Sequence, residues 1–304
     1  MTIQITATGP DELVAVTGET PVPGAHEVLV SVRAAGVNPA DYATLAAVGP
    51  TDFPRPVGFE AAGVVAAVGA EVRAELQPGT RVIAFLIQDG YASDVVVPEQ
   101  DVFLLPDTLD FAQGANLMLV STAAAQMLHT TRVQRGDTIV VHGASGASGV
   151  SVLQQAKLLG ARVIGTASPR NFDVVRRFGG EPVEYGPGLV DRLRALAPEG
   201  FAAALDCVGT EEALQASIEV VADRDRIITI AGYAQAPEYG IHGVSGAEPE
   251  TWEYRLPQRQ RMIDLAAQGL LTVPVAHTFP LEQAAEAWAL QRTGHPGGKL
   301  ALVP

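Results

Sequence analysis

The chain has 304 residues, 47% of them hydrophobic and 18% charged, so it can bury one or two sizeable cores without disulfides or metal staples, and two domains are the default expectation. A formal net charge of −14 repels phosphate backbones and anionic membrane surfaces, which argues against nucleic acid as a partner and leaves solubility as its plain meaning. MTIQITATGPDELVAV shows no signal-peptide pattern, no run nears the roughly 18–20 apolar residues of a membrane span, and the lone cysteine, Cys207, rules out an internal disulfide and a four-cysteine zinc cluster, so the sequence predicts a soluble cytoplasmic protein without a membrane segment.

The first predicted element is the alternating run EVLVSVRAAGV, Glu27–Val37, followed by short strand-like runs at 58–68, 79–85 and 91–97. Pro54, Pro56, Pro78 and Gly79 punctuate them, which suggests a compact all-β or barrel-like unit with Val28, Val30, Val32, Val64, Val82 and Ile83 in its core. Near Phe111 the texture changes to an alanine-rich helical run, 112–128. Apolar strands then alternate with amphipathic helices, the signature of βαβ units. The pattern predicts strands at 138–141, 161–166, 201–208 and 226–231, a further, shorter strand at 239–244, and a helix over 149–159 carrying Val152, Leu153, Ala156 and Leu159 at helical spacing. A polar helix-prone segment follows Thr251, an apolar stretch covers 271–279, a second helix starts at Pro280 and runs over 281–292, and GKLALVP ends the chain as a strand. No repeat, low-complexity tract or charge block is present, which leaves tethering functions without support.

The strongest chemical signal is VVHGASGASGV, residues 140–150, where Gly143, Gly146 and Gly149 fall between a buried strand and a helix. A dinucleotide needs that geometry: glycine permits the tight turn and lets the backbone approach the pyrophosphate, and the helix N-terminus supplies free N–H groups and partial positive charge. Ser145 and Ser148 add hydroxyl donors, with Ala147 between them on the loop. A Gly/Ser turn that merely joins strand to helix is the alternative, and the flanking βαβ pattern weighs against it.

An NAD-specific site places Asp or Glu about 20 residues beyond such a loop to hold the ribose hydroxyls. Here the second strand runs out as VIGTASPRNF and offers Ser168, Arg170 and Asn171, which suit a 2′-phosphate, so NADPH is the predicted cofactor. The alternative is structural: Ser168 caps a helix, Pro169 occupies its first turn and Arg170 is solvated.

Taken together, GVNPADY at 36–42, RPVGFEAAGVVAAVG at 55–69, QPGTRV at 77–82, the glycine loop, LDCVGT at 205–210, RIITIAG at 226–232 and GGKLAL at 297–302 resemble, in order, the landmarks of the medium-chain dehydrogenase/reductase superfamily, specifically its zinc-independent quinone oxidoreductase branch. The resemblance implies an α/β fold with two parts: a GroES-like β-barrel substrate domain from 1–112, completed by 258–304, and a Rossmann doubly wound parallel sheet over 113–257. It also implies an active site in the cleft between the domains and a homodimer. Residue by residue, it implies a phosphate site at Gly143 through Gly149, an adenosine 2′-phosphate site at Ser168, Arg170 and Tyr185, a nicotinamide wall from Val208, Gly209, Ala231, Gly232 and Tyr233, and Asn38 as a cleft residue beside the cofactor.

The departures from the resemblance carry information too. Zinc-dependent relatives have cysteine where this chain has Asn38 and histidine where it has Phe59, and neither residue supplies the thiolate or imidazole that zinc needs, so no metal is expected. Without that metal Glu60 is expected to make a structural hydrogen bond. The family's Thr and Tyr early in the domain-linking helix appear as Ala123 and Ala125, which enlarges or depolarises the cleft there. His142 is read as a packed strand-end histidine, Trp252, Tyr254 and Trp288 as packing residues, and Asp41 as ordering its own turn, while Tyr42 and Asn38 are the catalytic candidates.

The leading functional expectation is an NADPH-dependent reductase of a small electrophile, a quinone or an α,β-unsaturated carbonyl. An enoyl-thioester reductase acting on a coenzyme A or carrier-bound chain is the enzymatic alternative, although the acidic composition offers no evident basic path for such a substrate. A catalytically silent NADPH-binding sensor or scaffold is the alternative from another class.

Overall fold

A computed structural model describes residues 1–246, 248–293 and 296–304. The chain divides into two compact units, Met1–Leu119 with Thr272–Pro304, and Val120–Leu271.

The first unit is built on a seven-stranded sheet around Glu27–Val37, whose alternating pattern pairs antiparallel with Glu60–Val68, Asp94–Pro98 and the final strand Lys299–Val303. Register shifts at Leu29/Val30 and Val32/Ala34 mark irregularities in this pairing. They bring Val65, not the predicted Val64, into the core beside Val28, Val30, Val32 and Val82. Val64 faces Ser31 and stays half-exposed, because a one-residue slip sends a side chain to the opposite face. The tail closes the sheet by setting Leu300 opposite Val37 and Ala301 opposite Gly36. Gly36 is obligatory there, since a Cβ would stand 2.1 Å from the Ala115 carbonyl oxygen. A hairpin of Thr2–Gly9 and Glu12–Gly18, which the sequence pattern leaves unassigned, forms a separate three-stranded sheet with Arg55–Pro56.

The second unit holds six parallel strands in the spatial order Glu181–Glu184, Arg162–Ala167, Thr138–His142, Ala203–Asp206, Ile227–Thr229, His242–Gly243. That order is the doubly wound arrangement, and its reversal lies between Thr138–His142 and Ala203–Asp206, where ligands bind at the strand C-terminal ends. Alternate residues feed opposite cores: Ile139, Val141 and Leu205 one side, Val140, Ile164 and Ala204 the other. The strand Glu181–Glu184 is missing from the sequence pattern because four residues with Pro182 and two glutamates show no apolar run, which an edge position tolerates.

Three predicted boundaries move, each for a local reason. The helical run 112–128 is broken into Phe111–Gly114 and Met118–Thr130, where the Asn116 amide donates to the Ala112 carbonyl at 2.9 Å and competes with the backbone ladder. The strands predicted at 201–208 and 226–231 end at Asp206 and Thr229, since those side chains capture the next backbone N–H groups. The division after residue 257 shifts to Leu271 because Pro249–Ala267 is one continuous helix, and its Thr251 and Arg255 side chains bond Gln126 at 2.9 and 2.6 Å.

Candidate active site

Within the second unit the glycine loop leaves Thr138–His142 and enters the helix Ala147–Leu159. Gly143 turns the chain with φ 71°, a conformation that favours glycine, and a Cβ there would lie 2.5 Å from the Val208 side chain. Gly149 lets the helix close on the loop, since a Cβ would meet the Gly143 carbonyl oxygen at 2.3 Å. Gly146 is exposed and occupies the N-cap position with no side-chain cap bond, so the first helical N–H groups are not covered by a capping side chain. Ser145, Ala147 and Ser148 are half-exposed beside it. This cradle fits a diphosphate: close backbone, helix dipole and hydroxyls at one place.

The next strand C-terminus carries Ser168, which stands at the N-cap of the short turn Pro169–Asn171. Its hydroxyl makes no cap bond and is buried without a partner, so the purely structural alternative lacks the bond that defines it. Arg170 is exposed and Asn171 half-exposed, Tyr185 is 44% exposed, and no carboxylate occupies 168–171. On the other side of the switch point, Gly209 turns with φ 73° and sits against Ala231 and Gly232, where a Cβ would be 2.6 Å from the Gly232 nitrogen. Val208 and Tyr233 are 45% and 46% exposed at the rims of these loops. Cys207 is half-buried, and burial, with the neighbouring Asp206, raises its thiol above the ordinary range.

The first unit contains a buried polar cluster that local sequence pattern does not show. Asn38 and Glu60 are completely buried, with the Asn38 amide donating to Glu60 Oε1 at 3.0 Å while its carbonyl accepts from Lys299 Nζ. Lys299 also donates to the Val37 carbonyl at 2.9 Å and lies 3.8 Å from Glu60 Oε1, and Glu60 Oε2 accepts from the Leu119 N–H at 3.1 Å. Burial pushes the Glu60 carboxyl up and the Lys299 ammonium down, and their mutual attraction opposes both shifts. Asp41 Oδ2 accepts from the Asn38 N–H at 2.7 Å and from the Tyr91 hydroxyl at 2.6 Å, while Oδ1 is buried without a partner. Burial raises Asp41 to about 7 against the pull of these donors and of Lys299.

Tyr42 borders that cluster. Its ring meets Trp288 edge-on at 5.6 Å and lies under the Arg292 guanidinium at 4.6 Å, and its hydroxyl is raised above the ordinary range by burial, with Arg292 opposing. Trp288 is buried and donates to the Tyr91 hydroxyl at 3.2 Å, which is the packing role expected of it. Asn38, in contrast, has both ends of its amide engaged by protein groups. Among the described residues no group of three or more His, Cys, Asp or Glu side chains is arranged to hold a metal ion.

Residues 24–107 match the alcohol dehydrogenase GroES-like domain family, and residues 180–302 match the zinc-binding dehydrogenase family. A quinone oxidoreductase of Pseudomonas aeruginosa is 29% identical, with 99% of each chain covered. A trans-enoyl reductase of Aspergillus niger is 32% identical over 65% of this chain and 61% of its own. The crystal structure of a quinone oxidoreductase from Pseudomonas syringae superposes with a TM-score of 0.85 at 27% identity, covering 100% of both chains. The chain belongs to the quinone oxidoreductase branch of the medium-chain dehydrogenase/reductase family.

As a member of that family it is an oxidoreductase that binds a nicotinamide cofactor, and the glycine cradle is the part of its structure suited to that role. The local sequence shows the strand–loop–helix order of this segment because its parts are consecutive. It misses Lys299, Tyr91 and Asp206. Lys299 reaches Asn38 across 261 positions of sequence, so only its isolated charge in the apolar run GKLALVP signals it. Asp206 has a similar signal, an acid ending the apolar run of LDCVGT.

Proposed function

We propose that this oxidoreductase is an NADPH-dependent, zinc-independent cytoplasmic enzyme, working as a homodimer, that reduces quinones and α,β-unsaturated carbonyls. The observation that carries the cofactor reading is the adenosine end: Ser168, Arg170 and Asn171 follow the second strand, with an orphaned buried hydroxyl and an exposed guanidinium, and without a carboxylate to hold a ribose diol. Gly143, Gly146, Gly149, Ser145, Ala147 and Ser148 hold the diphosphate in this reading, Tyr185 flanks the adenosine, and Val208, Gly209, Ala231, Gly232 and Tyr233 wall the nicotinamide. Asn38 and Phe59 offer no thiolate or imidazole, which supports the zinc-free reading.

Bound NADPH supplies the hydride. The substrate class follows from where the negative charge goes. Hydride addition to an isolated ketone concentrates charge on one oxygen and calls for a strong electrophile, whereas addition to an enone or quinone spreads it over an enolate or phenolate, so modest donors suffice. Tyr42 is the donor favoured in the first unit, half-buried and fixed by Trp288 and Arg292. Asn38 serves to hold the 38–42 turn, because its amide is already bonded to Glu60 and Lys299. The Aspergillus niger trans-enoyl reductase keeps an enoyl thioester as the second substrate reading, a conjugated carbonyl reduced by the same chemistry.

The cofactor assignment is tested by calorimetric binding of NADPH and NADH to wild type and Arg170→Ala. Loss of one charge-assisted contact to phosphate is worth about 1.5 to 3 kcal/mol, so NADPH should weaken by about ten- to hundredfold and NADH hardly at all. Equal losses would make Arg170 structural and overturn the assignment. For the reaction itself, Tyr42→Phe should lower turnover by about tenfold or more with NADPH affinity unchanged; unchanged turnover removes Tyr42 from the chemistry.

A further inference from the structure

Four buried polar residues line up across the C-terminal edge of the parallel sheet, one on each of four adjacent strands. Asp206 pairs in register with His142 on one side and Thr229 on the other, and Thr166 Oγ1 lies 3.4 Å from His142 Nδ1. All four side chains are almost fully buried, yet three of them spend their oxygens on the loops that leave the strands. Thr166 Oγ1 accepts from the Gly143 N–H at 3.1 Å. Asp206 Oδ1 accepts from Val208 N–H at 2.9 Å and Oδ2 from Gly209 N–H at 2.9 Å. Thr229 donates to Asp206 Oδ2 at 2.6 Å and accepts from the Gly232 N–H at 2.8 Å.

We propose that Thr166, His142, Asp206 and Thr229 are positioning residues that act as one row to set the three cofactor-facing loops at Gly143, Val208–Gly209 and Ala231–Gly232. The proposal rests on the dinucleotide reading above, and none of the four touches the ligand in it. The physical reason is that a loop leaving a parallel strand has N–H groups with no ladder partner, and a buried acceptor at the strand end fixes their direction. Asp206 suits the role because a carboxylate accepts several bonds at once and is stabilised by backbone N–H groups without a cation. Gly209 and Gly232 touch through backbone, so the Asp206–Thr229 bond sets two loops together. His142 closes the row. The Thr166 hydroxyl accepts from the Gly143 N–H and lies 3.4 Å from His142 Nδ1, a contact in which either atom can donate, while His142 Nε2 is buried without a partner and burial lowers the ring's affinity for a proton.

The test is binding calorimetry with NADPH, NADH and the fragment 2′,5′-ADP, which carries the adenosine and phosphates but no nicotinamide. Thr229→Val keeps the shape and removes the hydroxyl at the nicotinamide end. It should weaken both dinucleotides by about five- to tenfold and leave 2′,5′-ADP unchanged, with Thr229→Ser restoring wild-type binding. Asp206→Asn, which keeps one acceptor oxygen, should give the same pattern. Thr166→Val should weaken all three ligands, because Gly143 belongs to the phosphate loop. Thr229→Val and Asp206→Asn binding like wild type, or losing the fragment as much as the dinucleotides, would overturn the row while wild-type binding stands. A wild-type protein that binds neither dinucleotide would overturn the cofactor reading and the row with it.

Discussion

The two units solve the same problem, a buried carboxylate, in opposite ways. In the first, Glu60 accepts from the Asn38 amide and the Leu119 N–H and also faces the Lys299 ammonium at 3.8 Å, a charge against a charge, drawn from parts of the chain far apart. In the second, Asp206 is held by the N–H groups of Val208 and Gly209 in the loop that follows it and by the Thr229 hydroxyl at the end of the neighbouring strand, dipoles in place of a cation. The first arrangement ties the final strand to the segment Val37–Asn38 and so belongs to the fold; the second aims loops and so belongs to the site. A buried ion pair leaves a large penalty when half of it is removed, whereas a carboxylate solvated by several dipoles loses them one at a time.

The sharpest way to break this comparison is Lys299→Met. Stranding Glu60 without its cation should cost about 3 to 5 kcal/mol of stability in urea unfolding, and adding Glu60→Gln should recover much of it. Additive losses in the double variant would mean that the pair is not a pair.

A smaller effect separates the units by pH. Asp41 is raised to about 7 from the ordinary 3.8, chiefly by burial, so the folded state holds this proton more tightly than the unfolded chain. Its contribution to stability is therefore full below the ordinary value and is lost as pH rises through 7, by at most about 4 kcal/mol. Thermal unfolding followed from about pH 5 to 8 should show a falling Tm in wild type and a flatter one in Asp41→Asn, whose amide keeps an acceptor for Asn38 N–H and Tyr91 OH and cannot ionise. Parallel curves would place the pH sensitivity elsewhere.

Legibility in the sequence follows the same division. The glycine cradle and the βαβ order were readable because strand, turn and helix signals sit within a few residues of one another. The hairpin Thr2–Gly18 escapes because its second strand, ELVAVTG, is apolar at four consecutive positions and largely exposed, so no alternation marks a buried face. Val64 stands beside Val65 in EAAGVVAAV, and which of the two faces the core depends on a pairing register that local pattern does not carry. The polar row escaped for a different reason: Thr166, His142, Asp206 and Thr229 each look like a stray polar residue at the end of a buried strand, and only the sheet register puts them side by side. The catalytic candidates divide likewise, with Tyr42 half-buried and Asn38 committed inside the protein.

The central claim is that the chemistry is hydride transfer to a conjugated acceptor. Its most direct measurement compares kcat/KM for NADPH oxidation by a panel of quinones, enones and enoyl thioesters with kcat/KM for NADP reduction by primary and secondary alcohols, on one preparation. Turnover on quinones or enones with little or none on alcohols is the expected result; faster turnover on alcohols would contradict it.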